Sequence, residues 1–427
     1  MPVGATCKGF GLVKSQPIQL KTTSSHNAGV GVAVSEQRPG RKGAAMPDLV
    51  FVSMEDWDDV WRRNQFLCAT LARKFPGMKI VFVGLPLNAS YHLRHGAIGQ
   101  LRGPLQWQAP GYANITVVRT IKLLPDSIAG TRKVNERIAR IHLRRIVRKL
   151  GLSNPILWLN PHSAVHMAGA MGERCVIYDI TDDWALVPSL TPAVRKITQE
   201  QDRALAARAD LVVVCSEALE SSRRDQNRQI MLLPNGVDAD HYANVCEPPR
   251  ERSWPQPVFG YTGTLHPDRT DVKLILDLAH AFPHGSVVLV GPDHWDEKSR
   301  AMLKTASNIH MPGVVPYRKI PETMAQFDVC IVPHVETRFT ESLNPIKLWE
   351  YLAGGKPIVS TNIAGFRSYP QLCRIASGPE AYIAACRAAL LEGDDLRAAR
   401  IAEARRHTWE ARVDALIERI EEMEIGI

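Results

Sequence analysis

The clearest signal in the chain is the segment NPIKLWEYLAGGKPIVS, residues 344–360. It predicts a short helix followed by a buried strand, because Pro345 suits the first turn of a helix and the pair Gly354-Gly355 supplies a left-handed residue that ends one. Lys347 and Glu350 then lie one turn apart on the same helix face, beside a helix N-terminus that favours anions. The segment therefore predicts a cation for a phosphate group next to a carboxylate for ribose hydroxyls.

Short apolar runs alternate with helical stretches on both sides of this segment, which is typical of α/β layers around parallel sheets. In the first half of the chain we predict strands at residues 49–53, 79–84, 115–119, 156–160, 176–180 and 211–216. In the second half we predict strands at residues 258–263, 286–291, 309–311, 329–333 and 358–361. Two parallel sheets follow, with ligands expected at the carboxyl ends of their strands.

The length of 427 residues favours two domains over one. We predict an α/β protein with two Rossmann-like, doubly wound domains facing a cleft. A final helix, with Trp409 among its periodic apolar residues, is expected to pack back on the first domain. The predicted parts are a disordered basic extension (1–45), an N-terminal domain (46–235), a linker (236–256), a C-terminal domain (257–393) and a C-terminal helix (394–427).

The net charge of +8 first suggests an anionic partner such as nucleic acid, but its location argues against one. Residues 1–45 carry six Lys or Arg residues and one Glu, and so hold +5 of that charge. They lack the apolar run of a secretory signal, which leaves a transit-type segment or an extension upstream of a start at Met46. No apolar run approaches the length of a membrane-spanning helix, about 20 residues. Eight scattered cysteines without a C-x-x-C pair favour a reduced, cytoplasmic protein with no zinc site.

Two glycine-containing loops precede the opening segment. Gly263-Thr264 ends a predicted strand, where backbone N–H groups can approach a phosphate closely, although a plain tight turn has the same sequence. Further on, Val315-Pro316-Tyr317 follows another strand and is placed to frame a flat nucleobase, or to serve as an ordinary connection. The order of the three segments carries more information than any one of them.

That order resembles the C-terminal half of GT-B glycosyltransferases, especially bacterial family-four enzymes that build cell-surface polysaccharides such as teichuronic acid. The resemblance covers residues 47–425 and includes LPNGVD (233–238) at the junction of the two halves. It implies that the C-terminal domain holds a nucleoside-diphosphate sugar and the N-terminal domain the acceptor. In such enzymes the lysine matching Lys347 contacts the diphosphate, and the glutamate matching Glu350 binds the ribose.

The donor site implied by the resemblance comprises Gly263, Thr264, Val315, Tyr317, Asn344, Lys347 and Glu350. Uridine is the commonest nucleobase of such donors. Charge growing on the leaving diphosphate must be stabilised in the transition state, and Lys347, the helix N-terminus and the glycine loop can do so without a metal. We therefore expect no metal and no cofactor besides the nucleotide-sugar substrate.

One departure from the family pattern concerns the second carboxylate. Many family-four members place two glutamates eight positions apart, whereas Glu341 and Glu350 are nine apart and Ser342 stands at the matching position. The group that meets the donor sugar, and the stereochemical course, therefore stay open.

Three carboxylates lie at the end of the predicted strand 176–180: Asp179, Asp182 and Asp183. Clustered carboxylates repel one another and shift their pKa values upward. A carboxylate here can act as base on an acceptor hydroxyl or stabilise a sugar cation. Enzymes of the resembling families carry a histidine or an aspartate in this loop, and the resemblance therefore implies Asp182, then Asp183, as catalytic together with Lys347. We place Asp179 on the acceptor side. A solvated or capping turn is the alternative.

In the families that the chain resembles, the first loop, which here follows strand 49–53, reaches over the cleft. Trp57 is predicted to stack on a sugar ring and Arg62 to meet an acidic acceptor, the alternative for both being surface or domain packing. A basic stripe formed by Lys133, Arg137, Arg140, Arg144 and Arg148 suits an anionic membrane face, or is a solvated helix.

We predict a glycosyltransferase of the hexosyl type, cytoplasmic or peripheral on the inner membrane face, that moves a sugar to a hydroxyl of a glycan or lipid-linked acceptor in polysaccharide biosynthesis. No nucleic-acid partner is expected. A nucleotide-sugar 2-epimerase and a non-catalytic nucleotide-sugar-binding protein share the fold and are the alternatives.

Overall fold

A computed structural model describes residues 46–94, 103–125, 130–247, 249 and 251–423. The basic extension 1–45 predicted to be disordered, and the last residues of the predicted C-terminal helix, lie outside the described residues. The described residues build two large sheets, each with helices packed on it, and one small two-stranded sheet. The six-stranded sheet is parallel throughout. The eight-stranded sheet is parallel except for its edge strand Gln106–Gln108, which pairs antiparallel with the strand Ile115–Val118.

The first large sheet has eight strands in the order β10-β9-β8-β7-β1-β2-β5-β4. The strands of this half are β1 (Leu49–Val52), β2 (Ile80–Val83), β3 (Leu87–Asn88), β4 (Gln106–Gln108), β5 (Ile115–Val118), β6 (Ile121–Lys122), β7 (Ile156–Leu159), β8 (Cys175–Ile180), β9 (Leu211–Val214) and β10 (Ile230–Leu232). Its helices are α1 (Arg63–Lys74), α2 (Ala89–Arg94), α3 (Thr131–Lys149), α4 (Pro192–Arg208) and α5 (Glu217–Arg223). Strands β3 and β6 form the small sheet.

All six strands predicted in this half are present. Helices cover both faces of the central strands, so β1, β2, β7, β8 and β9 are buried throughout and have nearly continuous apolar sequences. Phe51 on β1 stacks on Phe82 of β2 and on Trp158 of β7, with ring centres 5.8 and 5.3 Å apart. The edge strands β4 and β10 were not predicted, because one side of each faces outward and their sequences lack a long apolar run.

The second large sheet has six parallel strands in the order β13-β12-β11-β14-β15-β16. They are β11 (Val258–Thr262), β12 (Ser286–Val290), β13 (Ile309–Gly313), β14 (Val329–Val332), β15 (Ile358–Ser360) and β16 (Arg374–Ile375). The helices of this half are α6 (Val272–Ala281), α7 (Glu297–Leu303), α8 (Ile320–Ala325), α9 (Arg338–Glu341), α10 (Ile346–Ala353), α11 (Ala364–Arg367) and α12 (Pro379–Leu390). The five predicted strands are present, and only the two-residue β16 was missed.

The C-terminal stretch differs from the prediction of one helix. It forms α13 (Arg397–Arg405) and α14 (Trp409–Glu422). Thr408 begins the second helix by accepting a hydrogen bond from the backbone N–H of Ala411. Helix α13 packs on α10 in the C-terminal domain. Helix α14 packs on α1 in the N-terminal domain, as predicted for the final helix.

The chain passes between the domains at two adjacent places. Val237 leaves the first domain beside Thr408, with the Val237 N–H donating to the His407 carbonyl at 3.0 Å. Gly236 is required here, since a Cβ atom would lie 2.9 Å from the backbone nitrogen of Trp409. Trp409 then stacks on Phe66 of α1, with ring centres 5.0 Å apart, and joins the core of the N-terminal domain.

Candidate active site

The carboxyl ends of the two large sheets face each other, and the loops that follow them touch. Tyr317 donates its backbone N–H to the carbonyl of Asp59 across the cleft at 2.8 Å. Ser342 accepts a hydrogen bond at its Oγ from the backbone N–H of Asp183 at 3.2 Å. These contacts hold the two domains against each other around a polar cleft.

Lys347 lies on α10, and its side chain occupies the space left by the missing side chain of a glycine. Gly263 has a φ of +145°, and a Cβ atom there would overlap Cε and Nζ of Lys347. The ammonium lies 5.4 Å from the ring centre of Tyr261, within the range of a cation–π contact. Burial lowers the pKa of Lys347 to about 8, although the Glu350 carboxylate opposes the shift. An anion bound here would therefore interact with a cation that is shielded from water.

Glu350 lies one turn along α10 from Lys347, as the spacing predicted. Its carboxylate accepts a hydrogen bond from the Tyr242 hydroxyl at 2.9 Å. Burial raises the pKa of Glu350, and the ammonium of Lys347 counteracts this rise. Helix α10 itself ends as predicted: Gly354 caps it and Gly355 takes the left-handed conformation, with φ of +64°.

Several residues predicted at the donor are engaged within the protein. The side-chain oxygen of Asn344 accepts a hydrogen bond from the backbone N–H of Asn235 at 2.8 Å. This side chain therefore links α10 to the segment where the chain passes between the domains, and it is not directed at the cleft. Val315 packs against the hydrophobic core of the C-terminal domain. Thr264 offers its carbonyl to the Tyr261 hydroxyl at 3.4 Å. Of the predicted donor set, the structure brings together Gly263, Lys347 and Glu350.

Tyr317 lies at the interface between the two domains and contacts residues of both. Its ring stacks on His241 and on Trp61, with ring centres 4.1 and 5.6 Å away. Trp61 belongs to the N-terminal domain, so this stack crosses from one domain to the other. The ring therefore closes one side of the cleft.

The three clustered aspartates point in different directions. Asp179 is fully buried, and both of its oxygens are bound by Arg63 of α1, with an Nε–Oδ2 distance of 3.0 Å. Asp183 is buried against Arg223 at 3.1 Å, and that arginine also binds Asp202 at 2.9 Å. The acceptor-side assignment of Asp179 is therefore wrong, because its carboxylate is inaccessible, and Asp183 has the environment of a structural ion pair.

Asp182 alone among the three reaches toward the other domain. Its Oδ2 lies 3.0 Å from Nη2 of Arg269, which follows β11. Burial raises the pKa of Asp182, and the guanidinium of Arg269 counteracts the rise. The charge of Lys347 acts on Asp182 as well. Asp182, Arg269 and Lys347 thus form one electrostatic group that spans the cleft.

The first loop is only partly as predicted. Trp57 packs edge-on against Phe82, with ring centres 5.1 Å apart, and contacts the N-terminal core, so it is not a free platform for a sugar ring. That prediction is corrected by the packing. Arg62 remains partly exposed, lies 3.6 Å from Glu55 and 3.4 Å from Asp58, and its charge acts on Lys347.

Two residues of the cleft were not predicted as functional. Arg269 lies six positions after Gly263, just before the helix-capping Asp271, and a cation so close to a glycine loop is a signal that could have been used. Glu55 lies in the first loop, and the charges of Arg62, Asp182 and Arg269 all affect the pKa of its carboxyl group. Nothing in its local sequence separates it from the neighbouring Asp56 and Asp58.

The position of the missing second glutamate has a structural role. Ser342 is buried, receives the Asp183 N–H, and offers its carbonyl to the Ser216 hydroxyl at 2.7 Å. Glu341 does not replace the absent carboxylate, because it lies on the surface in an ion pair with Arg367 at 2.7 Å. Ser342 therefore joins the domains at the position where the family resemblance predicted a second glutamate.

Among the described residues, the structure shows no group of three or more His, Cys, Asp or Glu side chains arranged to hold a metal ion. Within the same residues, no helix has the length and apolar character needed to cross a bilayer.

The protein has two doubly wound domains that face each other across a cleft, and one helix at this cleft carries both a lysine and a glutamate. This arrangement is that of the GT-B fold. Residues 256–391 match the model of the family described as "Glycosyl transferases group 1". The predicted resemblance to GT-B glycosyltransferases is confirmed.

A curated relative is the putative teichuronic acid biosynthesis glycosyltransferase TuaH of Bacillus subtilis. It is 28% identical over 267 residues, which cover 53% of this chain and 66% of that protein. Similar solved structures include sucrose-phosphate synthase from Thermosynechococcus elongatus, with a TM-score of 0.66 and 14% identity over 88% of this chain and 99% of that one. HepE of Anabaena, in complex with UDP and glucose, has a TM-score of 0.60 and 15% identity over the same shares. These likenesses confirm the predicted GT-B fold.

Proposed function

We propose that the protein transfers a sugar from a nucleoside diphosphate to an acceptor hydroxyl. The observation that carries this proposal is the placement of Lys347, seated on Gly263, beside Glu350 and opposite Asp182 of the other domain. The family of residues 256–391 supports the same reaction class.

The cations of the cleft suit a departing diphosphate. When the bond between sugar and phosphate breaks, negative charge grows on the leaving oxygen, and fixed cations in a site shielded from water stabilise it strongly. Lys347 and Arg269 supply two such cations. The reaction is therefore proposed to need no metal and no further cofactor, and activity should survive a chelator. Asp182, held by Arg269, is proposed to face the positive charge that develops on the sugar ring.

Uridine diphosphate is the proposed nucleotide. HepE of Anabaena is described in complex with UDP-glucose, and a trehalose-6-phosphate protein from E. coli with UDP-2-fluoro glucose, both sharing this fold. Glu350 offers a carboxylate to the ribose hydroxyls once a nucleotide displaces its hydrogen bond to Tyr242. The likeness to TuaH supports an acceptor in cell-surface polysaccharide synthesis, either a growing glycan or a lipid-linked one.

A binding screen followed by turnover tests this proposal. Nucleotides that bind the folded protein raise its melting temperature by mass action, so UDP-, GDP-, ADP- and dTDP-sugars are compared by thermal shift. The expected result is stabilisation by UDP-sugars and slow UDP release. Lys347→Ala should abolish both, whereas Lys273→Ala on the exposed surface of α6 should abolish neither. Binding without turnover of any donor would indicate a non-catalytic protein. Release of an isomerised nucleotide sugar without an acceptor would indicate an epimerase.

We further propose that the enzyme works at the anionic cytoplasmic face of a membrane. Four of the five stripe residues on α3, Lys133, Arg137, Arg144 and Arg148, are exposed. Large apolar side chains are exposed around the neighbouring β3–β6 sheet and on α3: Leu85, Tyr91, Leu93, Leu123, Leu124, Val134 and Ile141. Basic and apolar groups on one surface are what an interfacial protein needs to bind anionic lipid.

Co-sedimentation with vesicles tests this location. The protein is expected to sediment with phosphatidylglycerol vesicles and much less with phosphatidylcholine vesicles. The double change Arg137→Glu with Arg144→Glu should remove most of the binding, while Lys196→Glu with Arg203→Glu on exposed α4 positions makes the same change in charge and should not. Equal loss in both double variants would show only an effect of net charge.

A further inference from the structure

His334 is a buried polar residue of the C-terminal domain that the reaction described so far does not use. It follows β14 and is only 3% exposed. Its Nε2 lies 3.1 Å from the hydroxyl of Tyr261, whereas its Nδ1 is shielded from solvent without a hydrogen-bond partner among the residues that the structure describes. A buried ring nitrogen without a partner lowers stability, so the placement of this imidazole calls for a reason other than stability.

The backbone of His334 is joined to the segment that carries Arg269. His334 and Thr270 form an antiparallel bridge. On either side of this bridge, two backbone hydrogen bonds of 2.8 and 2.9 Å join residues 269–271 to residues 333–335. The loop that positions the guanidinium of Arg269 is therefore fixed to the end of β14 at His334.

The side chain of His334 leads to Lys347 through Tyr261. Tyr261 lies on β11 and is 1% exposed, and its ring centre is 5.4 Å from Nζ of Lys347. A Cβ atom on Gly263 would overlap Nζ of Lys347 and would lie 3.2 Å from the phenol oxygen of Tyr261. The ammonium and the phenol oxygen therefore border the same small space, and His334 contacts the residue that lies beside the ammonium.

The imidazole of His334 is suited to accept the hydrogen of this phenol. Burial lowers the pKa of His334 well below its usual value, and the charges of Lys347 and Arg269 add to the decrease. A neutral imidazole has one nitrogen that accepts a hydrogen bond. The Tyr261 hydroxyl also faces the Thr264 carbonyl, but at the longer distance of 3.4 Å, so its hydrogen is assigned to the contact with Nε2. A phenol that donates a hydrogen bond becomes richer in electrons and attracts a neighbouring cation more strongly.

We propose that His334 is a positioning residue for the diphosphate of the donor, a role that rests on the glycosyl transfer proposed above. It accepts the hydroxyl of Tyr261 and so holds an electron-rich phenol beside the ammonium of Lys347, while its backbone holds the loop of Arg269. The imidazole is too deeply buried to contact the substrate itself. Its effect is therefore confined to the phosphate end of the nucleotide, and the nucleoside end is unaffected.

Substitutions of this pair in the full-length protein test the proposal. Tyr261→Phe keeps the ring and removes only the hydroxyl, and His334→Leu removes the acceptor. His334→Gln keeps an acceptor, because a side-chain amide oxygen can accept the same hydrogen. Tyr382→Phe is the matched control, since Tyr382 is also fully buried in the C-terminal domain and donates its hydroxyl to the Val359 carbonyl at 3.2 Å.

Two affinities are measured for each variant. Titration calorimetry gives the affinity for the nucleoside diphosphate of the donor that stabilises the wild-type protein most in the thermal-shift screen, expected to be UDP. Ligand-detected NMR gives the affinity for the matching nucleoside, uridine, which carries no phosphate. The nucleoside separates a loss of diphosphate positioning from a general loss of structure.

In Tyr261→Phe and His334→Leu, the Kd for UDP should rise by about threefold to tenfold, with the Kd for uridine within about twofold of wild type. His334→Gln should recover most of the UDP affinity, and Tyr382→Phe should bind UDP like the wild-type protein although it also loses a buried hydrogen bond. Tyr261→Phe decides the outcome if His334→Leu does not fold.

Unchanged UDP affinity in Tyr261→Phe, a parallel loss of uridine affinity, or an equal loss of UDP affinity in Tyr382→Phe overturns the role of His334 while leaving glycosyl transfer intact. A wild-type protein that binds no nucleoside diphosphate overturns both.

Discussion

Arg269 and Asp182 lie on opposite domains, with Nη2 of the arginine 3.0 Å from Oδ2 of the aspartate. The aspartate side chain is 13% exposed and the arginine side chain 29%, so the pair is shielded more than a surface salt bridge. Closing the domains therefore forms a contact between two charged groups that also belong to the proposed site. We therefore expect substrate binding and domain closure to be linked through this pair.

The first prediction concerns that pair. Asp182→Asn and Arg269→Gln should each favour the open arrangement of the domains, and the double variant should be no more open than either single one. The physical reason is that both substitutions remove the same contact, so their effects do not add. The radius of gyration from small-angle X-ray scattering checks this without any substrate. Additive increases would show that the two residues act independently.

Gly263→Ala should displace Lys347. The new Cβ would overlap the lysine side chain and force a residue with a side chain into a φ of +145°. We expect UDP affinity to fall by about tenfold or more, the cost of losing one charged hydrogen bond of roughly 1.5 to 3 kcal/mol. Titration calorimetry measures the affinity.

Gly111→Ala is the control for the glycine substitution. Gly111 also has a positive φ, +82°, but among the described residues no atom lies within 4 Å of its Cβ position. It tests backbone strain without displacing a neighbour, so it should lower the free energy of unfolding and leave UDP affinity unchanged. Equal losses of affinity in both variants would contradict the role of the close contact between Gly263 and Lys347.

UDP affinity should decrease as the pH rises through about 8, because burial lowers the pKa of Lys347 to that value and only the protonated form attracts the diphosphate. Titration calorimetry at pH 7 and pH 9 measures the change. Lys347→Ala should bind UDP weakly and equally at both values. The same decrease in Lys347→Ala would assign the titration to another group.

The stability of the protein provides a second check on Lys347. The pKa of this lysine is lower in the folded protein than the ordinary 10.5, so the unfolded chain binds more protons between pH 8 and 10.5. This group therefore makes the free energy of unfolding rise with pH across that window. The difference between wild type and Lys347→Met in urea unfolding, followed from pH 7.5 to 10, should show this contribution.

Asp179→Asn should destabilise the N-terminal domain by about 3 to 5 kcal/mol, because it leaves the buried guanidinium of Arg63 without its counter-charge. The same guanidinium binds the Leu233 carbonyl at 2.9 Å and Asn235 at 3.1 Å, so the end of the domain loosens with it. Urea unfolding measures the loss. Asp58→Asn, on an exposed carboxylate, should change the free energy of unfolding by no more than about 0.5 kcal/mol.

The sequence revealed the fold through its buried strands and the donor side of the site through one helix. Apolar runs such as residues 80–83 are typical of strands buried on both faces, and Lys347 and Glu350 are related by a fixed helical spacing. The aspartates were harder to separate. Asp179 belongs to strand β8 and its carboxylate lies under α1, whereas Asp182 lies beyond the end of that strand. All three aspartates pair with an arginine, and their spacing does not predict which of them pairs with an arginine of the other domain.

Contacts between the domains could not be predicted from spacing at all. Arg269 meets Asp182, and Ser342 meets Asp183, across sequence separations of 87 and 159 residues. Such pairs depend on how two separately folded sheets face each other, which no local pattern encodes. Trp57 failed for a related reason, since its neighbours Phe82 and Tyr112 come from other strands and loops.

Helix α14 lies near the end of the chain yet completes the core of the domain at its beginning. Trp409, Val413, Leu416 and Ile420 are all buried in that core. During synthesis the core of the N-terminal domain cannot be completed until these residues emerge, after the whole C-terminal domain has been made. At about 5 to 20 residues per second, this delay is on the order of ten to forty seconds. Helix α1 exposes an apolar surface for that time, so the nascent chain should be a client of chaperones that bind such surfaces.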